Sequence, residues 1–352
     1  MPRVFHIVVT RRFAGVERYV CDTAAETARR GWEVAVVGGD PARMPDALGA
    51  GVRWEPGATP AESLRSVLRL GRCDLCHAHM TKGEAVAVAT RLAHRGRVVS
   101  TRHFAARRGA SRAGRVLAPW IAAGLDRQIA IGDFAARNLE RLPDATLVSG
   151  VPASPCLWRA SNRVVLVLQR LDREKDTLTA LRAWQASQLA DDGWALRVVG
   201  DGDERPMLER YAVSAAITNV TFTGWITEIN AELARAGILL APAPAEPLGL
   251  AVLEAMAAGV PVVACGAGGH LETVGTVAGA PLFPPGDGSA AGAALRSLMP
   301  DAERERLSDG CRRAVFERFP IERHVTGLLM EYDAALAPDV HARSGRAPLR
   351  PQ

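Results

Sequence analysis

Short runs of β-branched and aliphatic residues recur along this chain, each too short for a helix and each followed by a longer stretch with helical spacing. The first set reads VFHIVV (4–9), WEVAVV (32–37), LCHAHM (75–80), RVVST (97–101), QIAI (128–131) and TLVS (146–149). After Pro155 the rhythm restarts with RVVLVL (163–168), ALRVVG (195–200), VTFTG (220–224), GILLAP (237–242) and VPVVAC (260–265). Helical segments such as VERYVCDTAAETARR (16–30) and PLGLAVLEAMAAG (247–259) fall between them. Strands alternating with helices predict parallel sheets covered on both faces, and unbroken apolar strands are what two covered faces require. Two such sets, separated by VPASPCLW (151–158), predict an α/β protein with two doubly wound, Rossmann-like domains. The length, 352 residues, also exceeds what one hydrophobic core usually serves. In open sheets of this kind ligands bind beyond the carboxyl ends of the strands, which directs the search to the polar residues there.

A balance of 48% apolar and 23% charged residues is ordinary for a soluble globular protein. No apolar run is long enough to cross a bilayer, and MPRVFHIVVTRRFAG lacks both the apolar core and the small-residue cleavage site of an export signal. A cytoplasmic location is expected. Six dispersed cysteines do not form a disulfide framework in so long a chain. Charge is unevenly spread: residues 1–160 hold 24 basic against 14 acidic side chains, and residues 161–352 hold 19 against 24. Eight arginines and no acid lie between Arg91 and Arg115. Within this run, Arg102–Arg115 reads as solvated surface, as a dock for the anionic inner face of the cell membrane, or as a site for a phosphorylated acceptor. The basic residues lack interleaved aromatics and any recognition motif, so no nucleic-acid partner is expected. The tail HARSGRAPLRPQ (341–352) is polar and rich in Pro and Arg, and is expected to be disordered.

Two stretches concentrate the chemistry. In GILLAPAPAEPLGLAVLEAMAAGVPVVA (237–264) a buried strand ends at Pro242, a loop carries Glu246, a helix is predicted to open at about Pro247 to Leu250, and Glu254 lies on it. Free N–H groups around Gly249 and Leu250 would bind phosphate, and a carboxylate beside an anion site suits a ligand rich in hydroxyls. In LVLQRLDREKD (166–176), Arg170 and Lys175 follow directly on the first strand of the second set. The chain has 41 arginines and only two lysines, so a lysine at a strand end hints at a point-charge role that arginine fills less well. Two cations at this edge suit a diphosphate.

These residues resemble the retaining glycosyltransferases of family 4, with the GT-B fold: two Rossmann-like domains facing a central cleft. The resemblance rests on Glu246…Glu254 as E-x7-E in the frame EPLGLAVLEAMAAGVPVVA, and on R-x4-K at Arg170 and Lys175. It extends to VVGDGDE (198–204), VTFTGW (220–225), ACGAGGHLETV (264–274), AGVERYV (14–20), the end of CDLCHAHM (73–80) and STRHF (100–104), covering roughly residues 1–335. It implies an acceptor-side domain over 1–155, a nucleotide-sugar-binding domain over 160–321, and a helix at about 322–338 that returns to the first domain.

The resemblance implies a UDP- or GDP-sugar donor and a hydroxyl acceptor in a cell-envelope glycan, glycolipid or secondary metabolite. Arg170 and Lys175 would neutralise the diphosphate, Glu246 would hold sugar hydroxyls, and Glu254 the ribose. Amides near Leu248, Gly249, Leu250 and Gly15 would approach phosphates and sugar. Gly200 and Gly202 would line the nucleotide end, Gly224 and Trp225 the base, and His103 and His79 the sugar and acceptor. The departing phosphate oxygen would help deprotonate the acceptor, with no enzymic nucleophile, cofactor or metal. Two departures stand out: Ala14-Gly15 where a Gly-Gly pair is frequent, and Ser149-Gly150 where Asn-Gly is frequent. A nucleotide-sugar 2-epimerase of similar fold is the alternative, but it is expected to lack the paired glutamates.

Other patterns lead nowhere. No G-x-G-x-x-G follows the first strand, which disfavours a dinucleotide-dependent oxidoreductase. Asp201-Gly202-Asp203 looks like a D-x-D metal site but lies in a glycine-flanked loop. Cys73-Asp74-Leu75-Cys76-His77 matches the haem-attachment signature C-x-x-C-H, and its thiols invite a zinc assignment, yet no second cysteine pair stands at finger spacing. Strand alternation also sends Cys76 to the face opposite His77 and His79.

Overall fold

The computed structural model describes residues 1–109 and 112–338. The 341–352 tail lies outside the described residues. Thirteen strands form two sheets, and every pairing between them is parallel. The first holds β1 (Arg3–Val8), β2 (Glu33–Gly38), β3 (Val52–Glu55), β4 (Leu75–His79), β5 (Arg97–Arg102), β6 (Arg127–Ala130) and β7 (Ala145–Thr146), in the order β3-β2-β1-β4-β5-β6-β7. The second holds β8 (Val164–Leu168), β9 (Ala195–Val199), β10 (Val220–Gly224), β11 (Ile238–Ala241), β12 (Val262–Cys265) and β13 (Leu282–Phe283), in the order β10-β9-β8-β11-β12-β13. Each is a doubly wound α/β domain, with winding that reverses between β1 and β4 in one and between β8 and β11 in the other. Those switch points open crevices at the carboxyl ends of their strands.

β3 and β13 were not anticipated. β3 is a four-residue edge strand whose alternate residues, Arg53 and Glu55, pair with each other, so it carries no apolar run. β13 has only two residues.

Both faces of each sheet are covered. Phe5, Ile7, Cys76, Ala78 and Val98 face one side of the first sheet, and Val4, Val8, Leu75 and Val99 the other. Helix Ile321–Leu336 crosses back and seals that second side with Leu328, Tyr332 and Ala335. Two chain segments therefore run between the domains, and they pair: Val151 N–H donates to the Phe319 carbonyl at 2.9 Å and Ile321 N–H to the Val151 carbonyl at 3.1 Å. Gly150 permits this crossing, since a Cβ there would lie 2.6 Å from the Pro320 carbonyl oxygen. Leu250 packs against the cores of both domains.

Candidate active site

Two loops at the carboxyl ends of β8 and β11 build the second-domain wall. After β8 the chain makes a single 3₁₀ turn, Arg173–Lys175, and Asp176 adopts a left-handed conformation before helix Thr177–Ser187. Gln169 holds this turn, donating from Nε2 to the Lys175 carbonyl at 2.9 Å and to Thr177 Oγ1 at 3.0 Å. Lys175 Nζ is thereby aimed across the crevice at Glu246 Oε2, 2.6 Å away, with 14% and 16% of the two side chains exposed. The Glu246 loop is fixed from behind by the Gly268-Gly269 turn. Gly269 N–H donates to the Glu246 carbonyl at 2.7 Å, and a Cβ at Gly269 would lie 2.5 Å from Leu248 Cα.

The helix after Glu246 begins at Leu250, the far end of the expected range from Pro247 to Leu250. Gly249 caps it with φ +94°, a left-handed geometry that keeps Pro247 and Leu248 in the loop. Arg170 and Lys175, expected to share one anion, have different partners. Arg170 folds back on Asp172 and on Glu174, the latter at 2.8 Å, while Lys175 alone reaches Glu246.

Glu254 lies on the same helix and meets the first domain. Arg18 Nε sits 3.7 Å from its Oε1, and a cleft of about 380 Å³ opens beside the pair, lined by Arg18, Asp22, Pro152, Thr227, Asn230 and Glu254 among others. Removal from water raises the Glu254 carboxyl to about 7, opposed by Arg18 and reinforced by Asp22. Asp22 rises to about 6 for the same reason, also against Arg18. Gly200 and Gly202 shape the neighbouring loop. A Cβ on Gly200 would lie 1.9 Å from the Gln169 carbonyl oxygen and one on Gly202 2.6 Å from that of Leu171, so each lets the loop after β9 touch the loop after β8. Gly224 has φ +73° and faces Arg205, while Trp225 is half exposed beneath the Arg43 guanidinium of the first domain, 3.3 Å from the ring centre.

The first-domain wall is different in kind. Gly15 opens helix Gly15–Arg29, close to Leu250 of the second domain, and Glu17 reaches back to accept the Ala14 N–H at 2.7 Å. Behind that helix, His6 on β1 and His77 and His79 on β4 are fully buried on one face of the sheet, beside the nearly buried His103 just past β5. His6 Nδ1 lies 3.1 Å from His79 Nε2, and His79 Nδ1 lies 3.0 Å from His103 Nε2. His77 is separately satisfied, by the Tyr332 hydroxyl at 2.6 Å and Thr101 Oγ1 at 2.7 Å. Tyr19 packs edge-on against His103 and bonds His324 Nε2 at 2.8 Å. Burial pushes His6 and His103 down to about 3 and His324 to about 4, so this wall is uncharged at neutral pH. Nitrogens of His6, His77 and His79 lie within 4.8 Å of one another, near enough to consider a metal, although both His77 nitrogens are already engaged. Cys76 packs in the core on the opposite face.

The arginine stretch needs correction. Arg108 is a core residue: it donates to both oxygens of Glu84, at 2.6 and 2.7 Å, and to Gln128 Oε1 at 2.7 Å, and it contacts Glu140. Burial opposes the Glu84 charge, but the bonds from Arg108 outweigh it and hold that carboxyl below its ordinary range. Arg102 is also turned inward, to Glu140 at 3.0 Å and the Ala106 carbonyl at 2.7 Å. Neither can face a membrane. Arg107 and Arg115 remain exposed, as do Phe104, Val116, Leu117 and Trp120 of the same segment.

Several residues of the cleft went unnoticed in the sequence. Arg18 falls within AGVERYV without standing out from it, Asp22 lies in a segment that reads only as a helix, and His6 lies in a strand that reads as core. His270 is buried in the field of Glu246 and Lys175 with Nδ1 unpartnered among the described residues; its signal was the glycine-rich ACGAGGHLETV. Glu272, in that same stretch, caps the first-domain helix Asp133–Arg137 by accepting the Asp133 and Phe134 N–H groups at 2.7 and 2.6 Å.

Comparisons with known proteins agree with this architecture. Residues 13–149 match the sequence profile of Glycosyltransferase Family 4, and residues 162–301 that of Glycosyl transferases group 1. A 2-deoxystreptamine glucosyltransferase of Streptomyces kanamyceticus is 32% identical over 199 residues, 50% of this chain and 51% of that one. A GDP-mannose-dependent alpha-(1-6)-phosphatidylinositol dimannoside mannosyltransferase of Mycobacterium tuberculosis is 34% identical over 178 residues, 49% of this chain and 44% of that one. The chain thus spans about half the length of the curated relatives it matches. In fold it is similar to Anabaena Alr3699/HepE, solved with UDP and glucose, at a TM-score of 0.78 and 16% identity, over 95% of this chain and 100% of that one. With a profile matched in each domain and two parallel-sheet domains of the GT-B kind, the chain belongs to the family 4, group 1 glycosyltransferases.

Proposed function

We propose that this chain is a retaining glycosyltransferase that moves a sugar from a UDP- or GDP-linked donor to a hydroxyl acceptor. The observation that carries the reading is the Lys175–Glu246 pair, a cation and a carboxylate held 2.6 Å apart and largely buried, beside the Gly249 cap of a helix. A diphosphate entering there takes Lys175 from Glu246. The freed carboxylate then accepts hydrogen bonds from sugar hydroxyls, and the helix N–H groups meet phosphate oxygens. Glu254 accepts from ribose hydroxyls in the adjoining cleft. The bond from the anomeric carbon to the diphosphate oxygen breaks, the acceptor oxygen bonds that carbon on the same face, and the acceptor proton passes to the departing phosphate oxygen. Positioning and electrostatic stabilisation supply the rate, with no protein nucleophile and no metal.

The test is a thermal-shift series with UDP, GDP and their sugars. One nucleoside diphosphate is expected to stabilise the chain, and Lys175→Ala with Arg170→Ala to abolish the effect. Equal stabilisation of that double variant would sink the diphosphate assignment. Retention is read from the anomeric configuration of the product, and an inverted product overturns it. The relatives' acceptors, 2-deoxystreptamine and a phosphatidylinositol dimannoside by name, are chemically unlike, so the acceptor panel includes an aminocyclitol and a glycolipid.

We further infer that the enzyme works at an anionic membrane surface. Phe104, Val116, Leu117 and Trp120 are exposed in the same short segment as exposed Arg107 and Arg115, a pairing of apolar and cationic groups that suits a bilayer interface. Among the described residues no helix is long and apolar enough to cross a membrane, so contact would be peripheral.

A further inference from the structure

His6, His79 and His103 form a chain in which every contact joins two ring nitrogens: His6 Nδ1 to His79 Nε2 at 3.1 Å and His79 Nδ1 to His103 Nε2 at 3.0 Å. A neutral imidazole has one N–H and one lone pair, so each contact needs a donor on one side and an acceptor on the other. Burial keeps all three rings neutral. Only two arrangements then satisfy both contacts: every proton on Nδ1, or every proton on Nε2. The three tautomers are coupled and change together.

The far end of the chain chooses between them. His6 Nε2 is buried without a hydrogen-bond partner. With every proton on Nε2, that atom would be an N–H stranded in the core, the rarest kind of unmet polar group in folded proteins. With every proton on Nδ1 it is only an unused lone pair. His103, at the other end, retains slight exposure and has no partner for its Nδ1 among the described residues.

We propose that His6 and His79 are positioning residues that lock His103 as the Nδ1–H tautomer, so that His103 meets its ligand as a hydrogen-bond donor and not as a base. The ligand atom that fits is an oxygen with a free lone pair, on the transferred sugar or the acceptor. What the N–H is for rests on the glycosyl-transfer reading above, whereas where the proton sits does not.

The experiment is a long-range ¹H–¹⁵N correlation spectrum of the full chain labelled in histidine. Expected are protonated Nδ1 and unprotonated Nε2 signals for His6, His79 and His103. A protonated Nε2 on His103 in the native protein overturns the proposal, as does stoichiometric metal in the purified protein whose removal by chelator moves the His6 and His79 signals. His6→Phe removes the first donor and is expected to swing His103 to the Nε2–H form, with roughly a 2- to 10-fold loss of kcat/KM, the scale of one neutral hydrogen bond. His6→Gln, whose amide N–H can replace the donor, is expected to restore both. An unchanged His103 spectrum in a folded His6→Phe variant overturns the coupling. If His6→Phe does not fold, the native spectrum decides alone. Nucleotide stabilisation is measured alongside: its absence with the expected spectrum defeats the glycosyl-transfer reading, and its presence with the opposite spectrum defeats only the tautomer lock.

Discussion

The two walls of the cleft handle polarity in opposite ways. On the second-domain side the groups are charged, partly wet, and each neutralised by a neighbour: Lys175 by Glu246, Arg170 by Asp172 and Glu174. On the first-domain side Arg18 and Asp22 carry charge beside Glu254, but the groups behind them are imidazoles and phenols, dry and uncharged, linked by nitrogen and hydroxyl contacts. A charged wall whose short ion pairs are partly exposed can exchange partners when an anion arrives, because the incoming charge replaces the partner that is lost. A buried neutral wall cannot exchange partners cheaply, but it keeps a fixed geometry and does not repel a cationic or oxygen-rich transition state. One wall adapts to the ligand, and the other holds still.

The largest test of that contrast is Lys175→Ala. It removes the cation and leaves Glu246 with neither a partner nor full hydration, and kcat/KM is expected to fall by roughly 100- to 1000-fold, the scale of losing one preorganised electrostatic contact. Lys175→Arg is expected to recover little, because a planar fork cannot replace a compact ammonium at this distance. Turnover as weakly affected as by a surface substitution would end the idea of an adapting wall.

Arg170→Ala should cost less, about 10-fold, since its side chain is 36% exposed and already paired within its own loop. An effect matching that of Lys175→Ala would mean that both cations act on one anion.

Glu254 sharpens the comparison through pH. Its carboxyl, ordinarily near 4.5, rises to about 7 in the folded chain, so between these values the folded state binds more protons than the unfolded one. Glu254 therefore contributes stability that is lost as pH climbs through this window, and Glu254→Gln is expected to make the change of melting temperature with pH more positive across it. Asp22 contributes in the same sense with a smaller rise, to about 6. The buried histidines act in the opposite sense. His6, His103 and His324 are neutral in the folded chain but ordinarily titrate near 6.5, so they add stability as pH rises through the same window. The Glu254 part of the slope is the difference between Glu254→Gln and the native chain. A slope unchanged in Glu254→Gln would remove Glu254 as its source.

The smallest effect on chemistry is expected at the exposed patch. Trp120→Asp together with Val116→Asp should leave turnover of a soluble acceptor intact and abolish sedimentation with anionic vesicles. Undiminished sedimentation would reject the docking surface.

How far the sequence anticipates this molecule depends on whether a residue's role is local. Central strands are legible because parallel strands covered on both faces must be apolar throughout; the edge strand β3, with Arg53 and Glu55, escapes that rule. Lys175 and Glu246 are legible because their spacing from strand ends is local, although their direct pairing is not. Arg108 reads as part of a surface patch because its partners Glu84 and Glu140 lie 24 and 32 residues away. His6 reads as one more core residue, since its meaning depends on His79, 73 residues later. Charge counted along the chain cannot tell a solvated arginine from one clasped by distant acids.

The returning helix Ile321–Leu336 has a consequence for how the protein is made. Leu328, Tyr332 and Ala335 complete the side of the first sheet that carries the histidines, and Tyr332 holds His77. During synthesis the second domain has all of its strands before that helix emerges, so the domain begun first is the last to be finished. Until then the histidine face lies open to water, with its imidazoles free to protonate. The dry wall of the cleft is sealed by a helix that follows every strand of both sheets, and a chain truncated before Tyr332 would carry all the strands of the second domain beside an unfinished first one.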